Sequence, residues 1–308
     1  MNRFCKSSMN FFFAVFAIVV AAAFFLPDRY MKRSMLGLQR IKLARLEATK
    51  GVGKRIVFVG GSNLSHGLES AKVEEALGVT VINMGLHGGL GLRYQLASIV
   101  DSVGEGDTVV LVPEYGNFSL DIYLGGPEVL AMVCDIIPEQ KRILSVAQWW
   151  KMFEYVPRYG AGKLCRIVQC FSGRESPECE GDYTISGDRV APDAIKPLPQ
   201  NKGWPRKRRE DLTTRYINDM NLLLDKIRSS GAKVLFMPPV FQHSSYVRQE
   251  PYILAVEDLL KENRTPYIID PALFALHDNL FYDTPYHLNK LGYPVRTELV
   301  IKVLRDVL

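Results

Sequence analysis

With 308 residues, of which 47% are hydrophobic and 23% charged, the chain is long enough to bury a globular core and too apolar for overall disorder. Its formal charge of +5 is concentrated at one end, because residues 1–54 carry ten basic and only two acidic side chains. The remainder is slightly acidic, which argues against a nucleic-acid partner and favours anionic membrane lipid as the partner of the basic end.

The first element in chain order is an uncharged apolar segment, residues 9–26, which stops at Pro27. A helix that crosses a bilayer needs about 17 to 25 such residues, so this segment is just long enough. A cleaved signal peptide is the alternative, since residues 21–23 are alanines, but the apolar run continues past them. The sequence therefore favours an uncleaved, single-pass N-terminal anchor over residues 1–28.

A basic juxtamembrane segment, residues 29–54, follows the anchor. Its leucines and isoleucine recur at partly helical spacing among the basic residues, which predicts a helix lying along the membrane surface. More basic residues follow the anchor than precede it, and by charge counting alone the body would be cytoplasmic. Charge therefore leaves the orientation of the body open.

The body, residues 55–308, alternates apolar β-rich runs with helical patterns. Strands separated by single helices predict right-handed βαβ units and an α/β fold, a doubly wound, mainly parallel five-stranded sheet in a three-layer sandwich. Residues 113–209 are rich in Gly, Pro, Trp and Tyr and break this rhythm, which indicates an insertion beside the functional edge of the sheet. The predicted strands are 55–59, 79–83, 108–112, 233–237 and 267–269, and the predicted helices are 68–77, 94–103, 212–229, 252–262 and 290–307.

The insertion region contains two features with open interpretations. Four of the five cysteines lie between positions 134 and 179, which suits one or two disulfides or four unpaired thiols. Trp149 and Trp150 are suited to stacking on sugar rings, although packing against the sheet is the commoner use of such residues. No cysteine or histidine spacing typical of a metal site is present, and the sequence predicts no cofactor.

The first predicted strand ends in two glycines, Ser62 and Asn63, at the edge where ligands of parallel α/β sheets bind. A phosphate-binding loop would need GxxxxGK[ST], and no lysine follows here. A GxSxG nucleophile elbow is also excluded, because Leu64 occupies the last glycine position. The remaining readings are a nucleophile at Ser62 and a plain helix N-cap by the same residue.

A second constellation lies after the last predicted strand, where Asp283 and His287 are four residues apart in a loop before the closing helix. A serine after the first strand and an Asp/His pair after the last meet at the same edge of a parallel sheet. These residue types in that arrangement predict a Ser-His-Asp triad.

Three segments of the chain resemble the SGNH (GDSL-like) hydrolase family, and within it the membrane-anchored cell-envelope members associated with acylation of exported polysaccharides. The similarity covers about residues 55–120 and 211–308. "FVGGSN" resembles the first family block and implies Ser62 as the nucleophile. "NMGLHGG" resembles the second and implies that the amide of Gly85 joins that of Ser62 in an oxyanion hole. "FYDTPYHLN" resembles the last and implies His287 as general base with Asp283 as its orienting partner.

Two positions depart from the family pattern. The family places its aspartate three residues before the histidine, where this chain has Thr284, and Asp283 lies one residue further back. The third family block supplies an oxyanion donor from GxND, whereas this chain has "PEYGNF". Asn117 is the nearest candidate donor, with Glu114 either occupying the equivalent space or forming a surface ion pair, and Asn63 lies at the edge of the predicted site.

The resemblance implies a serine-dependent acyl transfer, an O-acetylation in the first instance, onto a cell-envelope or exported polysaccharide. It further implies an extracytoplasmic or periplasmic body and an acyl donor supplied by a multi-spanning membrane acyltransferase. Two alternatives remain at this level. One is an esterase that removes O-acyl groups, and the other is a non-catalytic glycan-binding or assembly protein with an SGNH fold.

Overall fold

The computed structural model describes residues 3–171, 183–184, 186–190, 212 and 214–308. Its strands are β1 (Arg55–Gly60), β2 (Thr80–Asn83), β3 (Asp107–Val112), β4 (Lys233–Phe236), β5 (Phe241–Gln242) and β6 (Ala275–Leu276). Its α-helices are α1 (Arg3–Phe25), α2 (Arg29–Arg33), α3 (Gln39–Ala48), α4 (Ser62–Ser65), α5 (Ser70–Leu77), α6 (Gly91–Ala97), α7 (Leu120–Tyr123), α8 (Pro127–Ala131), α9 (Val146–Phe171), α10 (Ile217–Ser229), α11 (His243–Glu262) and α12 (Gly292–Val307).

The main sheet has the order β2-β1-β3-β4, and all of its strand pairs are parallel. Every residue of β1 and β3 is buried, as is typical of parallel strands covered on both faces. Alternate residues of β1 face opposite cores, so Val57 packs with α6 and α10 while Phe58 packs with α5 and α12. The α/β class and the parallel sheet are thus confirmed.

The predicted fifth strand at 267–269 does not form. Tyr267 makes an isolated parallel bridge to Phe236, and the amide of Ile268 donates to the carbonyl of Phe236 at 2.8 Å. Asp270 and Pro271 then turn the chain into a 3-10 helix, because the Asp270 side chain caps it and proline cannot donate to a ladder. The main sheet consequently has four strands, and β5 and β6 pair separately as two-residue strands too short to show a period.

The predicted helices exist, but several of their ends lie elsewhere. Helix α11 begins at His243 instead of 252, since Pro251 lies inside the helix and is not its start. Helix α6 begins at Gly91 and ends before residue 98, earlier at both ends than predicted. Helix α10 begins at Ile217, because Leu212 instead forms an antiparallel bridge with Ser119.

The described part of the insertion is largely helical and forms a third core with the end of α1. Ala23 of α1 packs in this core with α8, α9 and the 3-10 turn Met35–Leu38. Cys134 and Cys165 are free thiols, whereas the side chain of Cys170 and all of Cys179 lie outside the described residues. The N-terminal helix, moreover, is the one helix in the described residues that is long and apolar enough to cross a membrane.

The juxtamembrane segment packs against the body with one face of its helix, and the contact of its other face with the membrane surface stays a prediction. Leu46 of α3 is fully buried, and Lys42 is buried beside it at the edge of β2. The Lys42 ammonium donates to the carbonyls of Asn83, Gly85 and Gly187, and burial lowers the pKa of Lys42 to about 7, opposed by the charge of Asp188. A basic residue that looked like a lipid contact in the sequence therefore links α3 to the insertion.

Candidate active site

Ser62 is the first residue of α4 and is separated from the end of β1 by Gly61 alone. The two residues before it have to be glycines, because neighbouring groups approach their backbones too closely to leave room for a side chain. A Cβ on Gly60 would lie 2.4 Å from the carbonyl oxygen of Val112 in β3, and one on Gly61 would lie 2.4 Å from Oε1 of Glu114. The strand can therefore end against its neighbour, and against Glu114, only where no side chain intervenes.

Glu114 lies beside Ser62 and forms no ion pair with the residues that the structure describes. The Ser62 hydroxyl donates to Glu114 Oε1 at 3.2 Å, and the amide of Asn63 donates to the same oxygen at 3.2 Å. A Cβ on Gly88 would lie 2.4 Å from the other carboxylate oxygen, so the carboxylate is wedged between two glycine backbones. Glu114 thus fixes the direction of the Ser62 hydroxyl.

His287 and Asp283 are paired, despite the extra residue between them. Nδ1 of His287 lies 2.8 Å from Oδ1 of Asp283, because the Thr284 hydroxyl accepts the amides of Tyr286 and His287 and tightens the turn. Burial raises the pKa of Asp283, but the hydrogen bond and charge of His287 outweigh it and leave that pKa below its usual value. A carboxylate that accepts from Nδ1 leaves Nε2 of the neutral ring as a proton acceptor.

A second histidine, His66, stacks on His287 with ring centroids 4.1 Å apart. Arg189 donates to Nε2 of His66 at 2.7 Å, which places the ring proton on Nδ1, 3.0 Å from the carbonyl oxygen of Ser62. Burial, with the nearby charges of His287 and Arg189, lowers the pKa of His66 to about 3. His66 is therefore neutral at ordinary pH, and its own carbonyl accepts the amide of Leu288, which joins the two loops of the site.

Ser62, Glu114, Asp283 and His287 line one cavity of about 700 Å³ at the carboxyl ends of the main-sheet strands. This volume is within the range of small-molecule sites. Ser62 and His287 share no direct hydrogen bond, since the serine hydroxyl is directed at Glu114. Catalytic hydrogen bonds are commonly long without substrate, and both side chains face the same space.

The structure places the predicted amide of Gly85 away from the cavity. That amide donates to Oδ1 of Asn83 at 2.8 Å, and Gly85 is absent from the cavity wall. Gly88, three residues later, does line the cavity, and its amide has no hydrogen-bond partner among the described residues. The second block therefore presents Gly88, and not Gly85, as the available donor.

The two asparagines named from the sequence both serve the framework around Ser62. Asn117 lines the cavity, but its Oδ1 accepts the amide of Glu114 at 2.9 Å and its Nδ2 lies 3.4 Å from the carbonyl of Gly88. Asn63 is fully buried behind the site and donates from Nδ2 to the carbonyl of Val112 at 3.2 Å. Both side chains thus brace the loops that carry Glu114 and Gly88.

Sequence reasoning missed two arginines that organise this site. Arg296 of α12 is buried and donates to the carbonyl and Oδ1 oxygens of Asn63, fixing the start of α4. Arg189 lies in the insertion, where the buried carboxylate of Asp188 accepts the amide and hydroxyl of Ser70 and holds the segment in place. Neither arginine has a local sequence signal, because each acts on a residue more than a hundred positions away.

No family model matches this chain, and no curated protein matches it in sequence. The resemblance to SGNH hydrolases accordingly stays an expectation from the short sequence motifs.

Proposed function

We propose that the chain is a membrane-anchored serine enzyme of the SGNH type. It transfers an acyl group, in the first instance acetyl, onto a cell-envelope or exported polysaccharide. The observation that carries this proposal is that Ser62, Glu114 and the Asp283–His287 pair, from three distant parts of the chain, line one cavity at the carboxyl ends of the strands. A serine, an imidazole with a free Nε2 and a carboxylate that orients it are the groups that acyl transfer requires.

In the proposed reaction the Ser62 hydroxyl turns from Glu114 toward His287. Nε2 of His287 takes the hydroxyl proton as Oγ attacks the ester carbonyl, and the donor alcohol then leaves with that proton. The acyl group remains as an ester on Ser62. A sugar hydroxyl next gives its proton to His287 and takes the acyl group, which restores the free serine.

In each step a negatively charged oxygen forms on the substrate carbonyl, and we assign its stabilisation to hydrogen bonds from the amides of Ser62 and Gly88. Both amides lie at the cavity and have no acceptor among the described residues. One such donor typically contributes about 100- to 1000-fold to the rate. Glu114 accepts from the Ser62 hydroxyl and the Asn63 amide, so its part is to position Ser62 before the attack.

The position of the cavity supports a substrate presented at the membrane. Met35, which follows the anchor by a few residues, forms part of the cavity wall. The acceptor polysaccharide and a multi-spanning membrane acyltransferase as donor are taken from the family resemblance.

The location of the body outside the cytoplasm is also taken from the family resemblance. It is tested with a reporter that is active only outside the cytoplasm; fused after Leu308, this reporter should be active. Activity of a cytoplasmic reporter in its place would overturn this orientation.

The test uses the full chain, because α1 packs into a core of the body. The protein in nanodiscs is given an activated acetyl ester with and without an oligosaccharide, alongside Ser62→Ala and the matched control Ser229→Ala on the exposed end of α10. Acetylated oligosaccharide made by the wild type and the control alone supports transfer. Acetate release without acetylated sugar supports the esterase. Equal behaviour of wild type and Ser62→Ala would overturn catalysis and support a glycan-binding protein.

A further inference from the structure

Helix α9 lies against α1 and runs in the same direction. A Cβ on Gly160 would lie 1.9 Å from the carbonyl oxygen of Val19, so the two backbones are in contact there. The Lys163 ammonium donates to the carbonyls of Ala23 and Leu26 at 2.8 and 2.9 Å. Because later residues of α9 meet later residues of α1, the first half of α9 extends back toward the exposed apolar part of α1.

The first half of α9 has an exposed apolar stripe. Val146, Trp150 and Phe153 are spaced as one helix face and are 73%, 71% and 55% exposed. The opposite face is buried in the third core through Met152 and Val156. Among the residues that the structure describes, the stripe thus has no packing partner on another element, although the helix that carries it is firmly packed.

We propose that the first half of α9 lies in the membrane interface, with Val146, Trp150 and Phe153 in contact with lipid. Because the first half of α9 extends back toward the exposed apolar part of α1, a bilayer that contains α1 is the apolar phase nearest to the stripe. Tryptophan is enriched at the membrane interface. Lys141 and Arg142, exposed just before α9, are placed to meet anionic headgroups.

This inference requires α1 to lie in a bilayer and does not depend on catalysis. Two contacts with the membrane, α1 and the α9 stripe, would fix the tilt of the body as well as its attachment. Since Met35 lines the cavity, the same contacts would set the height of the cavity above the lipid.

The experiment is depth-dependent quenching of tryptophan emission in nanodiscs with brominated acyl chains, using the full chain. The chain has three tryptophans, Trp149, Trp150 and Trp204. Both variants are made in a Trp204→Phe background, where Trp150→Phe should lose most of the bromine-quenchable emission and the matched variant Trp149→Phe, on the packed face, should lose little. Carbonate extraction of the same samples reports separately on whether α1 is inserted.

Inserted α1 with no bromine quenching, or with equal quenching in wild type and Trp150→Phe, would overturn the proposal. A stripe covered by a second copy would give two chains per nanodisc by mass photometry and protected Trp150, which would overturn it as well. Loss of membrane insertion altogether would overturn the premise and the proposal together, while leaving the acyl-transfer assay unaffected as a test of the site.

Discussion

The chain has one cluster of charged residues at the cavity and another at the junction of α1 and α9. Both contain an aspartate bonded to a basic side chain, but they differ in exposure to solvent. At the junction, Lys163 and Asp135 form an ion pair at 2.7 Å in which both side chains are 1% exposed. Asp135 also accepts from the Tyr159 hydroxyl and the Asp28 amide. At the cavity, the Asp283 side chain is 48% exposed although its bond to His287, at 2.8 Å, is nearly as short.

The two clusters differ in what their charges do: those at the junction hold the fold together, and those at the cavity can take part in proton transfer. A buried pair whose polar atoms are all bonded resists any change of protonation or geometry, since each ion would be left uncompensated. A pair open to a cavity can exchange a proton with a ligand and then recover. We therefore expect variants at the cavity to lose rate while keeping stability, and variants at the junction to lose stability while keeping rate.

The largest expected effect is at the cavity. His287→Ala should lower kcat for acyl transfer by about 100- to 10,000-fold, the usual contribution of a general base. The unfolding midpoint in denaturant should change little, because the ring lies at a cavity wall. Steady-state kinetics with the activated ester give the first quantity and circular dichroism the second. Retention of full activity would remove His287 from the mechanism.

The next effect is at the junction, where Asp135→Ala leaves the Lys163 ammonium buried without its partner. The free energy of unfolding should fall by about 3 to 5 kcal/mol. The exposed pair of Asp225 and Arg228 offers a control, and Asp225→Ala should cost less than about 1 kcal/mol. Denaturant titration of the full chain in one detergent compares them, and equal losses would contradict the assigned role of burial.

A smaller effect on rate is expected from Gly88→Ala. The new methyl group would lie 2.4 Å from Glu114 Oε2 and must displace the carboxylate that positions Ser62. Misplacement of this kind costs about 100-fold in kcat. Gly104→Ala is the control, because a Cβ there meets only an ordinary contact at 3.6 Å. Unchanged kcat in Gly88→Ala would show that Glu114 does not need this position.

The smallest effect, counted per pH unit, is a pH dependence of stability from His66, a buried residue of the cavity wall to which the expectation of unchanged stability does not extend. Its pKa is about 3 in the folded chain and about 6.5 unfolded, so only the unfolded state binds a proton between these values. Stability should therefore fall as pH drops below about 6.5, by at most about 1.4 kcal/mol per pH unit from this group. Denaturant titrations at several pH values should show a shallower slope for His66→Gln than for the wild type. The exposed His277 supplies the control His277→Gln, and a slope lowered equally by both would contradict the assignment.

Local patterns were sufficient for much of the framework. The apolar run of β1, the glycines before Ser62 and the closing helix follow from period and turn chemistry, which involve residues close in sequence. The same patterns predicted a fifth strand at 267–269, which failed because Asp270 and Pro271 turn the chain into a 3-10 helix. They predicted the helical character of the basic segment but gave no sign that Lys42 is buried against the body, because a hydrophobic period does not show which polar residues are buried.

The residue types that acyl transfer needs, Ser62 with His287 and Asp283, are readable in the chain because each stands at the end of a recognisable element. Tertiary packing alone decided that Glu114 accepts a hydrogen bond from the Ser62 hydroxyl and that Gly88, and not Gly85, lines the cavity. It also decided that Arg189 donates a hydrogen bond to His66. Those contacts join segments tens to more than a hundred residues apart. Their energies depend on which groups exclude water from one another, a property of the folded arrangement that no local pattern encodes.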